Sequence, residues 1–259
     1  MPLLDRPGGS IRYEVSGSGS PAVLLTHGFA ATSAMFTANL PGIAASHRVI
    51  TWDLPGHGGS DYPADPTGYS PAATLADMAV LLTHCQQERA VLGGHSLGGY
   101  LSLDFALTFP DRVAALVLID TGPGFRNDAA RDGWNRRAEG TAARLTERGL
   151  GALDSSAELH GHEHRDASGL IQAARYTLTQ RDAHVLEGLP SIAVPALVVV
   201  GSDDAPFLAA ADYMTAKIPQ ARKVVIPGAG HAPNVDKPEL FDAALRGFLE
   251  EITAAEGRA

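Results

Sequence analysis

At 259 residues, 45% of them hydrophobic and 19% charged, the chain is long enough for one large α/β domain or two small ones, and its composition excludes global disorder. A formal net charge of −9 without a run of Lys or Arg argues against a nucleic-acid partner, whose phosphates would be repelled. A single cysteine, Cys85, excludes an internal disulfide framework, and neither a signal-peptide pattern at MPLLDRPGGS nor an apolar stretch of roughly 18 residues is found, so a cytoplasmic protein without a membrane partner is expected.

Short apolar runs bounded by Gly, Pro and Asp recur along the chain. A first, weaker strand near residues 2–5 and a second at Ile11–Val15 are expected to form an antiparallel edge. Strands are then predicted at Ala22–Thr26, Val49–Trp52, Ala90–Leu92, Ala115–Ile119, Ala196–Val200 and Lys223–Ile226. Their Val, Leu and Ile residues are continuous rather than alternating, which suits strands buried on both faces of a parallel sheet. Between them, Ser70–Gln86, Leu97–Phe109 and Pro238–Ile252 have helical spacing. Alternating strands and helices predict an α/β fold, a doubly wound, mostly parallel sheet covered on both sides.

One stretch departs from this rhythm. From Thr121 to Pro190 no strand is predicted, and helical patches fall at Ala129–Glu139 and Ser168–Gln180. The expected organisation is therefore a core of residues 1–121 and 191–259, with residues 122–190 inserted as a helical cap.

Gly94-His95-Ser96-Leu97-Gly98 fits G-x-S-x-G between a predicted strand and a predicted helix. A sharp strand-to-helix turn would expose the serine hydroxyl, and glycines on either side remove the collisions that such a turn creates. The helix behind it points free N–H groups at the same spot. A phosphate loop does not fit, since neither G-x-x-x-x-G-K-[ST] nor G-x-G-x-x-G aligns. A serine hydroxyl needs a base and a group to orient that base. His231 lies in PGAGHAP after the last predicted strand, and Asp204 lies in GSDD after Ala196–Val200.

These landmarks, with His27-Gly28-Phe29 and Asp53-Leu54-Pro55-Gly56-His57-Gly58, resemble the α/β-hydrolase fold superfamily over essentially the whole chain. The resemblance implies a serine hydrolase with Ser96 as nucleophile, His231 as base and Asp204 as its acid. Asp204 is favoured over Asp203 because the family's acid is the third residue after the strand-ending glycine. Asp120, after the strand Ala115–Ile119, is the rival, read here as a loop-anchoring carboxylate. The implied oxyanion donors are the backbone amides of Phe29 and Leu97. His27 is expected to brace the oxyanion loop, His95 to pack behind the serine turn, and His57 to be a structural part of its own turn.

Pocket-lining candidates are Met35, Phe125, Trp134, Tyr176, Leu178 and Phe207, together with the Phe29 side chain. The cluster His160-Gly161-His162-Glu163-His164 matches no zinc spacing and is read as a solvated loop; no metal and no cofactor is expected. The expected partner is a small carboxylic ester or lactone, short- to medium-chain. Alternatives on the same residues are a carbon–carbon bond hydrolase, a thioesterase and a menaquinone-pathway lyase of the MenH type. That lyase usually carries an arginine soon after the serine turn, where this chain has Tyr100 and Leu101. A receptor that keeps the constellation without turnover is the alternative from another class.

Overall fold

Apolar runs with no polar face need cover on both sides, and the helical segments between them supply it. The computed structural model describes residues 2–153, 156–159 and 163–257. Eight strands, β1 (Leu3–Arg6), β2 (Gly9–Ser16), β3 (Ala22–Thr26), β4 (Val49–Trp52), β5 (Ala90–His95), β6 (Val113–Ile119), β7 (Ala196–Gly201) and β8 (Ala221–Ile226), form one sheet. Their order is β1-β2-β4-β3-β5-β6-β7-β8. The β1–β2 and β2–β4 pairings are antiparallel, and every later pairing is parallel. The helices are α1 (Leu40–Ala44), α2 (Pro71–His84), α3 (Leu97–Thr108), α4 (Asp128–Arg148), α5 (Ser168–Tyr176), α6 (His184–Gly188), α7 (Ala205–Lys217), α8 (Pro233–Asp236) and α9 (Pro238–Glu256).

The two-residue period of the strands sorts the core into two layers. Leu24, Leu92, Leu116, Leu118, Val198 and Val200 pack with Met78 and Leu82 of α2, Phe105 of α3 and Met214 of α7. Their neighbours Val23, Leu25, Val91, Val117, Ile119, Leu197 and Val199 turn to the opposite face, against Ile43 of α1 and Phe241, Leu245 and Phe248 of α9. Each such side chain contributes about 1.5–3 kcal/mol on leaving water, so the central strands are fixed from both sides.

Several boundaries differ from the sequence reading. Strand β5 continues past Leu92 to His95, because Gly93 and Gly94 pair with β3 on one side and β6 on the other. Helix α7 was not expected; its apolar stripe is thin, with Ala211 and Met214 as its buried residues. Helix α4 is longer than Ala129–Glu139. It buries Ala138, Ala142 and Leu145 within a strongly charged sequence, is capped by the Asn127 side chain, and ends at Gly149 with φ 57°. Helix α5 stops at Tyr176, short of Gln180. Between β6 and β7 the described residues form helices and turns and no strand. No helix among the described residues is long and apolar enough to cross a membrane.

Because β3 lies between β4 and β5, the chain runs outward to one side after β3 and returns to the other. Loops at the carboxyl ends of the strands beside such a reversal splay apart and leave a crevice. His27-Gly28-Phe29, Ser96, Asp120, Asp204 and His231 all follow strand ends on that side of the sheet.

Candidate active site

Ser96 is the single residue between β5 and α3. Its backbone has φ 49° and ψ −113°, a conformation that costs a non-glycine residue about 1–3 kcal/mol. Four hydrogen bonds hold it there. Its N–H donates to Ile119 O at 2.9 Å, and its carbonyl accepts from Gly99 N at 3.0 Å, Tyr100 N at 3.1 Å and Thr121 Oγ1 at 2.6 Å. The flanking glycines allow close approach: a Cβ on Gly94 would lie 2.1 Å from Gly98 O, and one on Gly98 would lie 2.1 Å from Thr26 O. Leu97, as the first residue of α3, has an N–H with no acceptor within its own helix, at the positive end of the helix dipole.

His231 Nδ1 lies 2.6 Å from Asp204 Oδ2. Its carbonyl accepts from His95 Nε2 at 2.7 Å, and its ring meets His95 edge-on, at 4.9 Å between centroids, and Phe207 in a tilted contact at 4.7 Å. Burial pushes Asp204 up, but hydrogen bonds from His231 and Asp120 outweigh it and leave the carboxyl below its ordinary value. Ionised Asp204 accepts a hydrogen bond from the His231 Nδ1–H, which directs Nε2 away from the carboxylate. Complete burial pushes His95 down to about 3, so the residue beside the serine carries no charge. Asp203 instead is exposed and accepts from its neighbour Ser202.

Asp120 anchors the adjacent loop: both of its carboxyl oxygens lie 3.2 Å from Gly201 N. Burial first, and then Asp204 beside it, push its carboxyl up to about 9. It is therefore a neutral acid at pH 7 and donates its proton toward Asp204. Asp120, Asp204 and His231 bring three potential metal-ligand atoms within 4.8 Å of one another. A cation among them would have to displace both the 2.6 Å His–Asp hydrogen bond and the shared carboxyl proton.

Ser96 opens into a cavity of about 520 Å³, whose wall includes Leu97, Phe125, Trp134, Leu178 and Phe207. Met35 and Tyr176 do not line it. Met35 is buried in the layer under α9, where its carbonyl accepts from Asn234, and Tyr176 ends α5, so that Leu178, two residues on, reaches the cavity instead. The Phe29 side chain packs on the core and on His57, and is not part of this wall. Sequence reasoning missed Thr121, Arg137, Gln180 and Ala210, which do line it. Trp134 is fixed by donating from Nε1 to Leu178 O at 2.8 Å.

The loop after β3 carries the second candidate donor. Gly28 lies against the serine: a Cβ there would meet Ser96 Cβ at 3.3 Å and His95 Nδ1 at 2.6 Å. His27 Nδ1 donates to Gly28 O at 2.7 Å while its Nε2 accepts from Leu54 N at 2.9 Å. Burial lowers His27 to about 4 and pushes His57 well below its ordinary value, so both stay neutral. The solvated-loop reading of the histidine cluster needs correcting. His160, Gly161 and His162 lie outside the described residues and Glu163 is exposed, but His164 is buried, packed on His57 and hydrogen-bonded to Gly58 and Ala30.

The antiparallel first edge, the parallel strands that follow and the serine turn after the fifth strand are the plan of an α/β-hydrolase fold. The chain belongs to the alpha/beta hydrolase family, whose model matches residues 23–244. It is 30% identical over 264 residues to a Bacillus subtilis protein provisionally named 2-succinyl-6-hydroxy-2,4-cyclohexadiene-1-carboxylate synthase, covering 93% of this chain and 96% of that one. It is 28% identical over 261 residues to the pimeloyl-[acyl-carrier protein] methyl ester esterase of Edwardsiella ictaluri, covering 92% of this chain and 96% of that protein. Among solved structures, a thermophilic esterase from Thermogutta terrifontis superposes with a TM-score of 0.78 at 29% identity, over 96% of this chain and 97% of the other.

Proposed function

We propose that the chain is a serine hydrolase that cleaves small carboxylic esters or lactones through an acyl-enzyme. The observations that carry this reading are a strained Ser96 in the wall of a cavity and, at the same edge of the sheet, a hydrogen-bonded His231–Asp204 pair contributed by two later strand ends. Ser96 Oγ attacks the substrate carbonyl, and His231 Nε2 takes its proton and then returns it to the leaving alcohol. Ionised Asp204 holds the tautomer that this requires and stabilises the imidazolium that forms. The amides of Phe29 and Leu97 receive the oxyanion; losing one such donor typically costs about 3–4 kcal/mol of transition-state stabilisation. Water then repeats the sequence on the acyl-enzyme.

Residues 122–190 serve as the cap in this reading, since Phe125, Trp134, Arg137, Leu178 and Gln180 all come from that stretch to wall the cavity. A volume of about 520 Å³ suits a short- to medium-chain ester. Among the described residues Arg137 is the one charged side chain on the wall, and it suits an acyl or leaving group that carries an anionic end. Of the two relatives, one is named as the synthase of a cyclohexadiene carboxylate and the other as an esterase of a pimeloyl-[acyl-carrier protein] methyl ester. The ester reading is preferred over a MenH-type lyase because Tyr100 and Leu101 stand where the lyase carries its arginine.

The test is release of nitrophenol from p-nitrophenyl acetate by wild type and by Ser96→Ala. A stoichiometric burst followed by turnover is expected, with both lost in the variant. Equal release by the two proteins would sink the hydrolase reading and leave a receptor as the alternative.

A further inference from the structure

The loop that carries the Phe29 amide is held by three imidazoles, one on each of three successive peptide groups. Gly28 O and Phe29 N–H belong to one trans peptide plane and point in opposite directions, so fixing the carbonyl aims the amide. His27 fixes that plane through its 2.7 Å bond to Gly28 O. The next plane is held by His57 Nε2, which accepts from Ala30 N at 3.2 Å. The third is held by His164, whose Nε2 lies 2.8 Å from Ala30 O. His27 and His57 belong to the loop itself and to the turn after β4. His164 comes from 134 residues further along the chain, in the stretch between β6 and β7.

The partners of His164 settle its protonation state. Nδ1 faces Gly58 N at 3.0 Å and must accept, while Nε2 faces a carbonyl and must donate. The ring is thus neutral, carries its proton on Nε2, and is buried with its edge on His57. Its grip falls on Ala30, which has φ 60°, a left-handed conformation that costs a residue with a Cβ about 1 kcal/mol or more. Released from its carbonyl bond, that residue has a lower-energy conformation to relax into, and the amide of its chain neighbour Phe29 moves with it.

We propose that His164 is a positioning residue for the reaction: its Nε2–H holds the Ala30 carbonyl, and this keeps the oxyanion loop, with its Phe29 amide, aimed at the carbonyl carbon under attack by Ser96. This rests on the hydrolase reading above. It also makes the stretch that walls the substrate cavity part of the catalytic apparatus, through one hydrogen bond to the opposite loop.

The test separates donation to Ala30 from packing. In His164→Gln the terminal amide stands near the position of Nε2 and can still donate to Ala30 O. In His164→Asn the shorter amide can satisfy Gly58 N–H but does not reach Ala30. With wild type and Ser96→Ala alongside, kcat and KM for a p-nitrophenyl ester are measured, and folding is checked by circular dichroism and thermal unfolding. The expected result is kcat lowered about ten-fold or more in His164→Asn, part of the 100- to 1000-fold that a whole oxyanion donor is worth. KM should stay within about two-fold, and His164→Gln should recover most of the rate. Equal kcat in both variants, whether near wild type or equally low, would overturn the proposal while Ser96-dependent turnover keeps the hydrolase reading standing. Absence of Ser96-dependent turnover in wild type would remove that reading and this one together. A measurement on unmodified protein stands beside the variants: the imidazole nitrogen chemical shifts of His164 at neutral pH should show the proton on Nε2, and a proton on Nδ1 would overturn the assignment.

Discussion

Replacing Asp120 by asparagine should flatten the alkaline end of the protein's stability profile. Asp120 is 1% exposed, has both oxygens 3.2 Å from Gly201 N, and is raised to about 9 by burial and by Asp204. An unfolded aspartate titrates near pH 4, at about 3.9. Between these two values the folded chain holds a proton that the unfolded chain has released. Stability from this site is therefore full below the unfolded value and is lost as pH rises toward the folded one, by about 1.4 kcal/mol per pH unit. Asp77, raised by burial against the opposing pull of Arg6 to about 7, acts with the same sign but at lower pH. The interval from about pH 7.5 to about pH 8.5 thus isolates Asp120. Across it the wild type should lose about 1.4 kcal/mol, or about 3–5 °C in Tm for a chain of this size. Asp120→Asn offers Asp204 an N–H donor and Gly201 a carbonyl but has no proton to lose, so that decrement should vanish. Thermal unfolding followed by circular dichroism in buffers of matched ionic strength reads it directly, and ionisations common to both proteins cancel in the comparison. The same pH slope in both proteins would refute the shared-proton account of the Asp120–Asp204 pair.

Two further outcomes follow from the site. Gly28→Ala should keep the fold but lower kcat about ten-fold or more, because its Cβ would press on His95 Nδ1 at 2.6 Å and Ser96 Cβ at 3.3 Å, at an overpacking cost of about 1–3 kcal/mol. Full activity in steady-state assays of that variant would mean that the loop is not seated against the serine as described. Arg137→Met should raise KM about ten-fold for monoesters of dicarboxylic acids and leave neutral esters within about two-fold, the value of a hydrogen bond to a charged group. Equal changes for both substrate classes would remove Arg137 as the recognition element.

The strands were legible because burial on both faces leaves a continuous apolar signature, and their ends because glycine, aspartate and serine interrupt it. The proposed catalytic side chains on those ends, Ser96, Asp204 and His231, could be named for the same reason. What could not be read is what side chains do to backbone. His164 grips a carbonyl, and a carbonyl has no residue identity; in the sequence it stands in a histidine-rich loop that reads as solvated. Helix α4 was underestimated because its three buried positions, Ala138, Ala142 and Leu145, are outvoted by the charged residues around them. Met35 was misplaced because an apolar residue after a β-strand can turn inward to the core as readily as outward to a pocket. Substrate recognition suffers most from this asymmetry. The cavity wall is assembled from loop and helix residues such as Thr121, Arg137 and Gln180, whose spacing follows no period, while the proposed reacting groups stand at strand ends whose positions the sheet dictates. The proposed reaction class is therefore legible at the strand ends, while the choice of substrate rests on wall residues that no sheet register places.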